Sequence, residues 1–153
     1  MPRAKNMNPE TPNNMNEHFV TYEQATALSA LGFDIYGEYC YCTEMFCSGN
    51  NPIVFDTYSV GQRCFWHEVY SIDENGEEQE RGIPCPTLAQ AAAWLRRNGW
   101  HVQPMLNGVR SMYFVRVLET VGNGEVIEGE QQFDEYEGAL SHGIDLAIKR
   151  MTR

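Results

Sequence analysis

Three segments of the chain repeat apolar residues at the spacing of an amphipathic helix. The first segment begins at Thr21, three residues before Gln24, and the second begins at Thr87, three residues before Gln90. Threonine followed three residues later by glutamine is typical of a capping box, in which each side chain accepts a hydrogen bond from the other residue's backbone N–H. The pattern therefore predicts a short N-terminal helix and a second, well-delimited helix.

The third helical segment carries the broadest apolar face. Its predicted start is Asp134, with Glu137 as the capping partner. Apolar or small residues then recur every three or four positions, at Tyr136, Ala139, Leu140, Gly143, Ile144, Ala147, Ile148 and Met151. A face of this width needs a covering surface, so we expect this helix to pack on a sheet.

The remaining regular segments have the alternation and residue types of β-strands. Candidate strands lie at residues 35–45, 53–58, 63–72, 100–106, 109–121 and 126–133. Asn107-Gly108 between two of them predicts a hairpin with a two-residue type I′ turn. Together the segments predict an α+β fold, in which an antiparallel sheet of about five strands packs against the second and third helices and a short helix precedes it.

Composition separates the first 18 residues from the rest of the chain. Residues 1–18 are rich in asparagine and proline and contain no aromatic or β-branched apolar residue, so they are predicted to form a flexible N-terminal arm. Residues 19–153 are predicted to form a single α+β domain. A domain near this size buries about 70% of the surface that its unfolded chain exposes, which permits a real core.

The charge of the chain narrows the classes of partner. Twenty-one acidic and 11 basic side chains give a formal net charge of −10, which repels nucleic-acid backbones. We expect instead a protein partner, basic in character, or self-association, and carboxylates suited to such a surface occur at Glu77, Glu78, Glu80, Glu128 and Glu130. The sequence shows neither a membrane-spanning apolar run nor a signal peptide, which predicts a cytoplasmic protein without a membrane partner.

One cluster of residues has the character of metal ligands. It comprises Cys40, Cys42, Cys47, Cys64 and His67. Zinc is held by four thiolate or imidazole ligands, but Cys-x-Cys on a strand places both sulfurs on one face, unlike the usual two-residue knuckle. The alternatives are buried thiols, for which no cofactor is expected, and a Cys–His nucleophile pair. No cysteine has the sequence setting of a known nucleophile, which argues against an enzyme.

Aromatic and arginine residues around the predicted hairpin form a second candidate site. They are Trp100, Arg110, Tyr113, Phe114 and Arg116. Exposed aromatic side chains are typical of a partner surface, and arginine beside an aromatic ring also suits a nucleotide-like ligand. The structural alternative is that these side chains fill the sheet faces and the core.

The order of the motifs resembles small uncharacterised proteins encoded by phages and prophages of Bacteroidetes-type gut bacteria. The matching residues are Leu31-Gly32-Phe33-Asp34, Pro86-Thr87, Gln90-Ala91, Trp94-Leu95-Arg96, Tyr136-Glu137, Ala139-Leu140, Gly143-Ile144 and Ala147-Ile148. The resemblance covers about residues 21–151, departs between Cys42 and Ile83, and implies a source and a fold, with the cytoplasm of the host cell as the location.

The resemblance carries no catalytic residue. We therefore expect a non-enzymatic accessory protein of a phage or mobile element that acts by protein–protein binding. The alternatives are a protein that sequesters a small nucleotide-like ligand and a module stabilised by zinc.

Overall fold

A computed structural model describes residues 19–51, 54–66, 70–72, 75–76 and 78–153, with side chains at 19–45, 58–66, 75–76 and 81–153. The described residues form two compact units, one from the segment that ends at Gln24 together with residues 87–153, and one within residues 25–86. The single domain over residues 19–153 stays a prediction, and the predicted arm at residues 1–18 lies outside the described residues.

Three helices and ten strands occupy the described residues. They are α1 (Tyr22–Ala30), β1 (Tyr39–Cys42), β2 (Phe46–Asn51), β3 (Val54–Tyr58), β4 (Arg63–Phe65), β5 (Tyr70–Ile72), β6 (Glu78–Glu80), β7 (Gly82–Pro84), α2 (Leu88–Arg97), β8 (Trp100–Asn107), β9 (Met112–Glu119), β10 (Val126–Glu128) and α3 (Tyr136–Met151). The predicted α+β class is confirmed. None of the helices in the described part of the chain combines the length and apolar character that crossing a membrane requires.

The first unit is a three-stranded antiparallel meander covered by helices. Its strand order is β10-β9-β8, and α3 contacts β8 and β9 while α2 contacts β8 and α3. Val102, Val115 and Val117 are buried on the strands, and Leu95 and Ile144 are buried on the helices. The predicted packing of both helices on a sheet is thus confirmed for this sheet.

The second unit contains a smaller antiparallel sheet with the order β4-β1-β7. Its central strand places Cys40 opposite Cys64 on β4 and opposite Pro84 on β7. The strands β2 and β3 form a separate two-stranded ladder, as do β5 and β6.

The prediction of one sheet with about five strands is wrong, because the described strands belong to two three-stranded sheets and two two-stranded ladders. Alternation identifies a strand and its two faces, but it does not determine which other strand completes the ladder. The predicted strand at residues 63–72 contains two separate strands, β4 and β5, which pair with β1 and β6 respectively.

Local capping chemistry agrees with two of the three predicted helix starts. Thr87 N–H donates to Gln90 Oε1 at 2.9 Å and Gln90 N–H donates to Thr87 Oγ1 at 3.1 Å, and Thr21 with Gln24 repeats this arrangement at 2.9 and 3.1 Å. The third start differs, because α3 has Glu135 as its N-cap residue and that residue makes no side-chain cap hydrogen bond. The predicted capping pair of Asp134 and Glu137 is therefore wrong.

The hairpin between β8 and β9 is confirmed, but its turn is longer than predicted. Asn107 pairs with Met112, so residues 108–111 form the connection. Asn107 Oδ1 accepts a hydrogen bond from Val109 N–H at 3.2 Å, and Ser111 takes the left-handed conformation with φ of 54°. The asparagine side chain stabilises a wider turn, in which the positive φ falls on Ser111.

Candidate functional site

Two adjoining hollows lie where α2 and α3 begin, beside the residues that precede α1. The first has a volume of about 400 Å³ and is lined by Phe19, Thr21, Leu88, Phe133, Asp134, Glu135, Glu137, Gly138 and Ser141. The second has a volume of about 310 Å³ and is lined by Thr87, Leu88, Ala89, Tyr136, Glu137 and Leu140. They share Leu88 and Glu137, and we refer to them together as the helix-start groove.

The floor of the helix-start groove is apolar. Leu88 and Leu140 are buried there, and the half-buried Phe133 is fixed by two backbone hydrogen bonds of 2.7 Å that it exchanges with Tyr113. A Cβ atom at Gly138 would lie 3.2 Å from Phe133 Cδ1, so glycine leaves room for the ring beside the first turn of α3. Tyr136, 45% exposed, contacts Tyr113 edge-on with 5.9 Å between ring centroids.

The rim of the helix-start groove is acidic. Asp134 and Glu135 are exposed and Glu137 is half-buried, and none of the described residues that line the two hollows is a lysine, arginine or histidine. The start of a helix carries roughly half a positive charge, which favours carboxylates at such positions. The starts of α2 and α3 together supply roughly one positive charge, which the three carboxylates exceed, so the described lining of the groove keeps a net negative charge.

A buried glutamine supports one wall of the groove. Gln24, only 3% exposed, donates from Nε2 to the carbonyl oxygen of Ser141 at 3.0 Å and to Asp145 Oδ1 at 2.8 Å. Its Oε1 simultaneously accepts the hydrogen bond of the capping box from Thr21 N–H. Sequence reasoning found the capping role of Gln24 and missed its bonds to α3, because those partners are distant in the chain.

The structure does not bring the five predicted hairpin residues together. Tyr113 lies on the β9 face that carries the buried Val115 and Val117, whereas Phe114 and Arg116 lie on the opposite face. Arg110 is exposed in the turn, and Trp100 is half-buried at the start of β8. Only Tyr113 reaches the helix-start groove, through its contact with Tyr136.

A third hollow lies beside the hairpin and is also acidic. It has a volume of about 450 Å³ and is lined by Asn107, Phe114, Glu128, Gly129, Glu130 and Gln132. The negative charges of Glu128 and Glu130 would repel a phosphate-bearing ligand bound beside Phe114. Two of the carboxylates predicted to face a basic partner, Glu128 and Glu130, line this hollow together. The side chains of the others, Glu77, Glu78 and Glu80, lie outside the described residues.

Three of the five predicted metal-ligating residues meet in the second unit. Cys64 Sγ lies 3.0 Å from Cys42 Sγ and 3.8 Å from Cys40 Sγ, and all three residues are buried. The side chains of Cys47 and His67 lie outside the described residues. Among the side chains described, no group of three or more histidine, cysteine, aspartate or glutamate residues is arranged to hold a metal ion, and zinc stays a prediction.

Cys85 is separate from these three thiols. It is buried, and its side chain hydrogen-bonds Tyr41, whose position in the strand alternates with Cys40 and Cys42. Burial raises the pKa of the Cys85 thiol to about 11, against the lowering effects of Tyr41 and Arg63. A thiol with this pKa is protonated at neutral pH, which does not suit a nucleophile.

The groove is the feature that sequence reasoning missed. The sequence signal that could have indicated it is the grouping of Asp134, Glu135 and Glu137 around Phe133 and Tyr136. The sequence analysis interpreted these carboxylates only as residues that begin a helix. No family model, curated protein or solved structure matches this chain. Its function is therefore argued from the geometry and charge of its surfaces.

Proposed function

We propose that this protein is a non-enzymatic accessory protein of a phage or mobile element, and that it binds a basic segment of a protein partner in the helix-start groove. The observation that carries the proposal is an apolar floor beside three carboxylates, with no basic side chain among the lining residues that the structure describes. The phage source is supported by the order of the sequence motifs alone.

The floor of the groove supplies contact area for apolar side chains. Tyr136 is 45% exposed and lines the second hollow, where a partner side chain would cover it. Tyrosine is among the residues that contribute most to binding when a partner buries them at the centre of an interface. Apolar anchors of a partner segment therefore fit the two hollows.

The rim of the groove selects the charge of the segment. Lysine or arginine residues that flank an apolar anchor would lie near Asp134, Glu135 and Glu137. An exposed ion pair contributes about 0.2–1 kcal/mol, so three carboxylates together contribute about 2 kcal/mol. This corresponds to roughly a thirty-fold preference over a neutral segment.

A site-specific photo-crosslinking experiment tests the proposal. A photo-reactive phenylalanine analogue replaces Tyr136 in the groove, and the matched control places it at Val109, which is 96% exposed at the tip of the hairpin. We expect a partner to be captured from the host lysate at Tyr136 and not at Val109. The crosslinked peptide, identified by mass spectrometry, should carry net positive charge and at least one large apolar residue.

Charge variants complete the test. Asp134→Asn, Glu135→Gln and Glu137→Gln combined should weaken binding of the captured peptide by roughly thirty-fold at low salt, from the ion-pair energies above. Glu128→Gln with Glu130→Gln removes two carboxylates of the other hollow and should leave the affinity unchanged. Equal capture at both probe positions, an acidic crosslinked segment, or equal affinities of the two variants would refute the assignment.

A further inference from the structure

The core of the second unit is built around sulfur. One cluster of buried side chains there consists of Cys40, Cys42, Cys64 and Tyr58, with Trp66 packed against it. A folding unit of this size buries a smaller share of its surface than a larger domain does, so a covalent cross-link adds proportionally more to its stability. The cluster offers the groups from which such a cross-link forms.

Strand register places Cys64 at the centre of the three thiols. Cys64 on β4 is directly opposite Cys40 on β1, and Cys42 lies two residues further along β1 on the same face. Directly opposite residues in an antiparallel pair have Cα atoms about 4.5–5.5 Å apart, which lies within the range that a disulfide spans. The 3.0 Å between Cys64 Sγ and Cys42 Sγ exceeds a disulfide bond by about 1 Å.

The neighbouring strand leaves space for these sulfurs. A Cβ atom at Gly82 on β7 would lie 3.0 Å from Cys40 Sγ, so any larger residue there would displace that thiol. Cys64 is 6% exposed, whereas Cys40 and Cys42 are 0% exposed. Because β4 is an edge strand of three residues, local opening exposes Cys64 before the two thiols on the central strand.

We propose that Cys64 is an oxidation site that forms a reversible disulfide with either of its two neighbours, Cys40 or Cys42, when a hydroperoxide is the oxidant. The Cys64 thiolate attacks one oxygen of hydrogen peroxide, the O–O bond breaks, and the released hydroxide takes up the proton that the thiol lost. The products are a sulfenic acid on Cys64 and water. The neighbouring thiol then attacks the sulfenic sulfur, an S–S bond forms, and a second water leaves. Two thiols and one hydrogen peroxide thus give one disulfide and two waters.

The third thiol distinguishes this arrangement from an ordinary cysteine pair. Because both neighbours contact Cys64, removal of either one leaves a partner for the disulfide. Removal of Cys64 leaves Cys40 and Cys42 two residues apart on one strand, at about 6.6–6.8 Å along the chain, near the upper limit for a bridge. The disulfide therefore requires Cys64 and tolerates loss of either partner.

Peptide mapping of the oxidised full chain tests the proposal. Trypsin cleaves after Arg63, which separates Cys64 from Cys40, Cys42 and Cys47, so a disulfide from Cys64 joins two tryptic peptides. The reduced chain is treated with hydrogen peroxide, remaining thiols are alkylated, and the digest is compared with and without reductant. We expect a linked pair, two hydrogens lighter than the sum of its peptides, whose fragment spectrum places the bond at Cys40 or Cys42.

Variants separate the proposal from its alternatives. Cys40→Ala and Cys42→Ala should each retain the linked pair, whereas Cys40→Ala/Cys42→Ala should lose it. In Cys64→Ala, Cys40 and Cys42 should stay reduced and be alkylated. Cys85→Ala is the matched control, since Cys85 is equally buried but lies apart from the cluster, and it should behave as the parent chain. Circular dichroism checks that each variant is folded, and the fragment spectrum of the parent chain needs no variant. The absence of a linked pair in the parent chain, its survival in Cys40→Ala/Cys42→Ala, or a disulfide between Cys40 and Cys42 in Cys64→Ala would overturn the proposal.

Discussion

Gly143 determines how closely α3 approaches the meander sheet. A Cβ atom at this position would overlap Val102 Cγ1 and lie 2.5 Å from Val115 Cγ2. Both valines are buried, and β-branched side chains have few alternative rotamers, so neither moves away easily. The change Gly143→Ala therefore forces the helix and the sheet apart.

The net effect is a balance of two free energies. Overpacking of a close-packed core costs about 1–3 kcal/mol of stability. Because two fixed valines contact the new methyl group, we take the upper value of about 3 kcal/mol for this position. Alanine is favoured over glycine within a helix by about 1 kcal/mol. We expect Gly143→Ala to lower the free energy of unfolding by about 2 kcal/mol.

Urea denaturation of the full chain measures this change. With a slope of about 2 kcal/mol per molar urea, the midpoint should fall by about 1 M. Gly138→Ala is the matched control in the same helix, because its new Cβ would meet a Phe133 ring edge at 3.2 Å and the helix-propensity gain is the same. This control should leave the midpoint nearly unchanged.

A double-mutant cycle identifies the cause. If the clash with Val115 is responsible, Gly143→Ala should cost less in a Val115→Ala background than in the parent chain, with a coupling energy of at least about 0.5 kcal/mol. A Gly143→Ala variant as stable as the parent chain, or additive effects of the two substitutions, would refute the reasoning.

Two further predictions concern α2 and Cys85. Thr87→Ala removes the capping box and should lower the free energy of unfolding by about 1 kcal/mol. Thr87→Ser keeps the hydroxyl and should retain most of the stability. Equal urea midpoints for the two variants would contradict the role of the cap. Because burial raises the pKa of Cys85 to about 11 from an ordinary value of 9.0, the unfolded chain loses this proton first as pH rises. The difference in free energy of unfolding between the parent chain and Cys85→Ala should therefore be constant below pH 9. It should decline as the pH rises through 11, by at most about 2.7 kcal/mol. A difference in urea midpoints that does not change with pH would exclude this effect.

The sequence predicted what depends on neighbouring residues. Thr21 and Thr87 cap their helices as expected. After α1, Gly32 takes a φ of 101° and Phe33 N–H donates to the Leu28 carbonyl oxygen at 2.9 Å. These interactions span three to five residues, so the local pattern contains both partners. The hairpin at Asn107 was predicted for the same reason, although one side-chain hydrogen bond changed its turn.

The candidate sites were predictable only in part. The sequence grouped Cys40, Cys42 and Cys64, and the structure brings their sulfurs together. Cys-x-Cys on a strand fixes one shared face for Cys40 and Cys42, whereas Cys64 joins them through the pairing of β4 with β1. The helix-start groove was not predictable, since its walls come from segments that are distant in the chain and meet through tertiary contacts such as those of Gln24 with Ser141 and Asp145.

The amino-acid sequence by itself determined the three helices, the strands of the meander and the net charge of −10, whereas β2, β6 and β7 lie outside the predicted strands. Only the tertiary structure decided that the described strands form two three-stranded sheets and two ladders, and that three carboxylates border an apolar groove. The physical reason is that periodicity specifies which face of an element is buried, whereas the partner of that face is chosen by long-range packing.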